Sequence, residues 1–223
     1  MANRKTVVIT GANRGIGLEL ARHYADEGCA VIGVCRHTSD ELNAIATRVV
    51  EGVDVTTDSG IQTLTTELKG QSIDLLINNA GLLQDEKLGS IDFDSIRTQM
   101  EINAYAPLRV AEALVSQIPS GGKIANITSR MGSIADNDSG GRYGYRASKA
   151  ALNAFGKSLA MDLQPRGIAV AQLHPGYVQT RMVNFGGLIS PQESAKGLAE
   201  RIEALNLENT GSFWHSNGDE LPW

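Results

Sequence analysis

Short apolar runs and stretches of helical spacing alternate along almost the whole chain. Residues 5–10 contain Val7-Val8-Ile9, a run of strand length, and residues 15–27 then take helical spacing through Leu18-Glu19-Leu20-Ala21-Arg22-His23-Tyr24. The same alternation predicts strands at 30–35, 48–53, 73–78, 123–128 and 168–173, with a last short one at 212–214. Helices are predicted at about 40–47, along the face Ile61, Leu64 and Leu68, at about 93–118 with a bend at Pro107, at 145–163 and at 195–205. Elements of these lengths in alternation predict a single α/β domain. Its core is a doubly wound parallel sheet of about seven strands, with helices on both faces and right-handed crossovers. Ligands of such a sheet sit beyond the carboxyl ends of its strands. Each notable polar cluster of this chain falls just after a predicted strand.

The first cluster is Thr10-Gly11-Ala12-Asn13-Arg14-Gly15-Ile16-Gly17. Glycines at 11, 15 and 17 let the backbone turn tightly and touch a pyrophosphate. A helix opening there aims free N–H groups and a positive dipole end at the phosphates. The spacing is G-x-x-x-G-x-G, not the G-x-G-x-x-G of the NAD-binding Rossmann fingerprint. Asn78-Asn79-Ala80-Gly81 closes the fourth strand, Asn126-Ile127-Thr128-Ser129 the fifth, and Pro175-Gly176 follows the sixth. Tyr145 and Lys149 stand four apart on a predicted helix and so share a face. An ammonium beside a phenol favours the phenolate and is expected to lower the Tyr145 pKa. That pairing makes a proton donor for work near neutral pH.

Composition narrows the setting. The chain has 223 residues, 42% hydrophobic and 20% charged, with a net charge of −5. These values suit a soluble domain and argue against general nucleic-acid binding; no basic block or zinc spacing is present. No apolar segment reaches membrane-spanning length, and Met-Ala-Asn-Arg-Lys runs into the first strand without a signal-peptide core. Cys29 and Cys35 lie roughly 20 Å apart on one extended segment, beyond disulfide reach. Inert thiols in a reducing, cytoplasmic compartment are expected.

In this order and placement the clusters make the chain resemble the classical short-chain dehydrogenase/reductase family, by motif from Thr10 to about Thr180 and by layout beyond. The resemblance implies a Rossmann-type fold and hydride transfer between a nicotinamide cofactor and a small carbonyl or alcohol. It implies Tyr145 as acid/base, Lys149 as the group that lowers its pKa and binds the nicotinamide ribose, and Ser129 as the residue polarising the substrate oxygen. It implies Asn103, in Glu101-Ile-Asn-Ala, as holder of a water linking Lys149 to solvent. Tyr143 is excluded because Ala147 stands four residues on. Ser133 and Ser139 compete with Ser129, which is preferred because Thr128-Ser-Arg-Met-Gly132 matches the family's turn. Residues 136–141 read as an insertion before Tyr145, and residues 180–190 as a short substrate lid.

Cofactor contacts implied by the resemblance are Gly11, Asn13, Arg14, Gly15, Ile16 and Gly17, then Arg36, Asp54, Val55, Asn79, Ala80 and Gly81. Tyr145, Lys149, Pro175, Gly176, Val178 and Thr180 complete the set. The slot for an acidic residue that would bind the NAD ribose holds Cys35, followed by Arg36. With Arg14 this offers two guanidinium groups to a 2′-phosphate, so NADP(H) is expected over NAD(H). The histidines form no metal constellation, and His174 is expected to be structural.

The ending, residues 211–223, resembles the bacterial C-factor (C-signal) group, which is similar to the sniffer-type carbonyl reductases. The rival to an oxidoreductase is therefore a signalling or regulatory protein that binds the cofactor with little turnover. A nucleotide-sugar epimerase would need a C-terminal substrate domain for which there is no room. Ala147, Ala150, Ala151, Leu152, Ala154, Phe155 and Leu159 give the 145–163 helix more apolar surface than one sheet requires, predicting a homodimer or homotetramer.

Overall fold

The structure, a computed structural model, describes residues 4–223. The reading of the N-terminal segment falls partly on residues 1–3, which lie outside the described residues. In chain order the elements are β1 (Thr6–Thr10), α1 (Gly15–Asp26), β2 (Ala30–Val34), α2 (Asp40–Ile45), β3 (Arg48–Val50) and α3 (Asp58–Glu67). There follow β4 (Leu75–Asn78), α4 (Phe93–Met100), α5 (Ala106–Leu114), β5 (Lys123–Ile127), α6 (Tyr143–Leu163), β6 (Ala169–His174), α7 (Pro191–Ala204) and β7 (Ser212–His215).

All seven strands join one sheet in the order β3-β2-β1-β4-β5-β6-β7, every neighbour parallel. Strands covered on both faces need near-continuous apolar runs, and β1 is buried at all five positions. One face packs Leu20 of α1, Leu42 of α2 and Leu198 and Ile202 of α7. The other packs Leu64 of α3, Val110 and Leu114 of α5, and Ala160 and Leu163 of α6. The strand order reverses direction between β1 and β4, which opens a crevice at their carboxyl ends.

Polar residues inside three strands are explained by register. Asn78 lies opposite Asn126, and Asn126 opposite Gln172. Asn78 Nδ2 donates to Asn126 Oδ1 at 2.9 Å, and Asn126 Nδ2 to Gln172 Oε1 at 2.9 Å. This buried amide ladder pairs its inner donors and acceptors and leaves Asn78 Oδ1 and Gln172 Nε2 at its two ends without a partner. Gly156 of α6 has no side chain because a Cβ there would run into the Gln172 amide.

The sheet and its helices match the expected fold class, with three local departures. The region 93–118 is not one helix bent at Pro107. A π-helical turn, Glu101–Tyr105, separates α4 from α5, and Pro107 sits in the first turn of α5, where a missing N–H is tolerated. Helix α6 starts two residues before Tyr145. Helix α7 starts at Pro191, because Ser190 caps it by accepting from Glu193 N at 3.1 Å. Among the described residues no helix is long and apolar enough to cross a membrane. Cys29 and Cys35 are free and buried.

Candidate active site

The β1–α1 turn is built for close backbone approach. Gly11 and Gly15 have φ of 66° and 54°, the left-handed region that favours glycine. A Cβ on Gly17 would run into the Gly11 carbonyl. Asn79 ties the turn to β4: its Nδ2 donates to the carbonyls of Thr10 and Gly11, both at 3.1 Å, and Thr10 Oγ1 accepts from Asn79 N. The Asn79 amide N–H groups thus hold the turn. Ala80 N bonds Thr10 Oγ1 at 3.2 Å. At Arg14, which precedes α1, no side chain caps the helix, so its first N–H groups stay free for an anion. Ile16 is half-buried and packs on the core.

Asn13 Nδ2 donates to the His37 carbonyl at 2.8 Å, joining the glycine turn to the segment that carries Arg36. Arg14 and Arg36 are both exposed, and neither makes an ion pair among the described residues. Cys35 is buried just past β2, so position 35 itself presents no carboxylate, while Glu51 Oε1 nearby accepts from Thr38 N at 2.9 Å. Hydrogen bonds from Thr56, and then the nearby Arg36 charge, hold the Asp54 carboxyl below its ordinary value. Val55 is half-buried beside it.

Ser129, Tyr145 and Lys149 are all buried together where β5 ends against α6. Ser129 caps the 3₁₀ turn Arg130–Gly132, its Oγ accepting from Met131 N at 3.1 Å. A Cβ on Gly132 would stand 2.7 Å from the Lys149 backbone, so glycine is what lets this turn lie on α6. Lys149 Nζ donates to the Ile127 carbonyl at 2.9 Å and lies 5.9 Å from the Tyr145 ring centre. An ammonium has three donors, and Ile127 takes one. A Cβ at Gly81 would approach Lys149 Nζ to 3.8 Å and Asn103 Oδ1 to 3.3 Å, so Gly81 leaves this corner open.

Asn103 is fully buried inside the π-helical turn. Its Nδ2 donates to the Leu82 carbonyl at 2.7 Å and Ser148 Oγ at 3.0 Å, and its Oδ1 accepts from Leu82 N at 2.8 Å. The Asn103 side chain is therefore committed within the protein.

Burial pushes the Tyr145 phenol up; Ser129 and Arg142 pull against it. Burial brings Lys149 down from its ordinary 10.5 to about 7. The net direction at Tyr145 is therefore upward, opposite to the lowering expected there, because burial outweighs the groups that pull it down.

Beyond β6, Gly176 has φ of 89° and Val178 is buried, bridged to Ile189. Pro175 accepts from Ser194 Oγ at 2.7 Å. Thr180 lies across from the glycine turn, its Cγ2 3.5 Å from where a Gly15 Cβ would be. The lid that follows is one 3₁₀ turn, Arg181–Val183, with Asn184 and Phe185 left-handed. Ser133 is committed to the Trp223 carbonyl, Ser139 accepts from Arg146 at the surface, and Tyr143 is partly exposed. His174 packs edge-on against His215, and burial drops its pKa to about 3. Close approaches join the glycine turn to Ala80 and Thr180, and Gly81 to Lys149 and Asn103. The glycine turn, the uncapped helix end and an ammonium with one of three donors used fit a dinucleotide.

The family model described as short chain dehydrogenase matches residues 5–186. A 1-hydroxy-2-glutathionyl-2-methyl-3-butene dehydrogenase of a Rhodococcus species is 40% identical over 98% of this chain and 99% of that protein. The C-signal of Myxococcus xanthus is 42% identical over 68% of this chain and 93% of its own length. A short-chain dehydrogenase/reductase of Burkholderia multivorans with bound NADP superposes with a TM-score of 0.91, at 32% identity, over 99% of this chain and all of that one. The chain belongs to the short-chain dehydrogenase family of oxidoreductases.

The depressed Lys149 pKa has a consequence for stability. Between about pH 7 and the ordinary lysine value, the unfolded chain binds a proton here that the folded chain does not, so stability rises with pH. Cys29 and Cys35, pushed up, oppose this from about pH 8, and Tyr145 only from about pH 9, while Lys123, lowered by burial, adds to it near the ordinary lysine value. Without added nucleotide, Tm is expected to climb from pH 7 to 9, and Lys149→Met to remove most of the climb. A Tm that is flat or falls across that window in the unsubstituted protein contradicts the assignment.

Proposed function

We propose that the protein is an NADP(H)-dependent oxidoreductase that interconverts carbonyl compounds and alcohols, one domain carrying both cofactor and substrate sites. The observation that supports this reading is the buried group of Ser129, Tyr145 and Lys149 at the end of β5, with Asn103 buried as well. Bound NADPH supplies the hydride. Ser129 Oγ orients the substrate oxygen, and the Tyr145 phenol, kept protonated by burial, donates the proton to it. Lys149 offers its two spare N–H groups to ribose hydroxyls, and the Asn103 carbonyl holds the water that passes protons inward. The free N–H groups at the start of α1 hold the pyrophosphate, with Asp54 and Val55 at the adenine. Pro175, Gly176, Val178 and Thr180 border the nicotinamide.

The test is NADPH oxidation with a panel of aldehydes and ketones. Tyr145→Phe is expected to lower turnover by about 10²-fold or more while NADPH still binds. NADPH binding without turnover on any carbonyl would overturn the enzyme reading. It would favour a signalling protein that responds to occupancy, the alternative raised by the match to C-signal.

Arg14 and Arg36 are assigned to the 2′-phosphate, with the buried Cys35 removing the competing carboxylate. The ratio of kcat/KM for NADPH over NADH is expected to exceed one and to fall by about tenfold in Arg14→Ala or Arg36→Ala. A preference for NADH contradicts the assignment.

The leftover face of α6 includes exposed Ala147, Ala154 and Met161, and Phe155 beside Tyr105, their rings tilted with centres 6.2 Å apart. That face is assigned to a homodimer or homotetramer contact. Light scattering at micromolar concentration should give a multiple of the chain mass; a monomer contradicts it. Two buried free thiols fit the cytoplasm.

A further inference from the structure

A helix begins with N–H groups that need partners from outside its own ladder. Helices α2, α3, α4 and α7 are each capped by the side chain that precedes them: Ser39, Thr57, Asp92 and Ser190. Helix α6, which carries Tyr145 in its first turn, is not. The residue before it is Arg142, left-handed at φ 50° and ψ 46°, with no side-chain cap.

The partner comes from the loop after β4. Glu86 is 3% exposed, a burial uncommon for a carboxylate. Its Oε2 accepts from Gly144 N at 3.0 Å, and its main-chain carbonyl accepts from Arg142 N at 3.1 Å. Its Oε1 accepts from Ser95 Oγ and Gln99 Nε2, both at 2.6 Å. Gln99 is fully buried, and its Oε1 accepts in turn from Gln84 N at 3.0 Å. Gly144 has no side chain because a Cβ would stand 2.6 Å from Gln99 Nε2 and 2.9 Å from Glu86 Oε1. A carboxylate at the positive end of a helix is favourable, and donors on both oxygens offset its removal from water.

We infer that Glu86 is a positioning residue: it caps α6 from a distant loop and, braced on α4, fixes the turn that aims the Tyr145 phenol. This rests on the role given to Tyr145 above. A reacting group displaced by about 1 Å can cost up to roughly 10²-fold in rate. Nothing in the network touches the glycine turn, so cofactor binding is left alone.

The test compares kcat at saturating substrate with the Kd for NADPH. Glu86→Ala is expected to lower kcat on the order of 10- to 100-fold with Kd within about twofold. Glu86→Gln, which keeps one acceptor oxygen, should recover part of the loss. If Glu86→Ala is too unstable to assay, Gly144→Ala serves, since its methyl would displace the same carboxylate. An unchanged kcat, or a Kd that weakens in step with it, overturns the proposal. Amide exchange separates this from a failure of the proposed activity. Even with no carbonyl turnover in the unsubstituted protein, residues 142–146 should exchange about tenfold faster in Glu86→Ala while the sheet holds. Equal protection of that turn overturns the proposal.

Discussion

The Lys149 ammonium lies against the Ile127 carbonyl on the inner side of α6, with no carboxylate beside it, and burial alone brings its pKa to about 7. A charge so placed is costly unless something polar arrives to meet it. The surrounding chain is shaped to let that happen. Gly132 brings the Ser129 turn down onto α6, and Gly81 leaves the corner between Lys149 and Asn103 open. The π-helical turn holds Asn103 fully buried behind them. The site is thus tuned through desolvation, with hydrogen bonds rather than counter-charges at its base.

That base is itself uncharged. The Asn78, Asn126 and Gln172 ladder crosses the three strands beneath the site, and Thr128 Oγ1 donates to Asn153 Oδ1 at 2.7 Å to tie β5 to α6. Buried amides and hydroxyls fix register without adding a field that would shift Tyr145 or Lys149 further. On the other side of the crevice Asn79 holds the glycine turn in the same way. Two rigid walls built from amide hydrogen bonds therefore face each other, one presenting backbone N–H groups and the other a phenol and an ammonium.

How much of this was legible in the sequence follows from the range of each interaction. The glycine turn, the Tyr145–Lys149 pair and the parallel, helix-covered sheet are local patterns or follow from alternation, so they read directly; the order of the strands in the sheet does not. Arg14 and Arg36 could be considered together because one lies in the turn after β1 and the other just after β2. The start of α6 could not be read, because its cap comes from Glu86, 58 residues away. The π-helical turn hid behind an ordinary helical pattern, and Pro107 drew the bend to itself though the irregularity lies just before it. The sign of the Tyr145 shift was misread for a related reason: spacing places the ammonium beside the phenol but says nothing of how deeply both are buried.

The central claim is that this crevice moves a hydride to a carbonyl carbon while Tyr145 delivers the proton. It is tested most directly with NADPH deuterated at the transferable C4 position and a reducible aldehyde or ketone, with the product analysed by mass spectrometry. The account predicts one deuterium per molecule of alcohol, on the carbinol carbon, and none on the hydroxyl after exchange with water. Alcohol formed without deuterium at that carbon would contradict it.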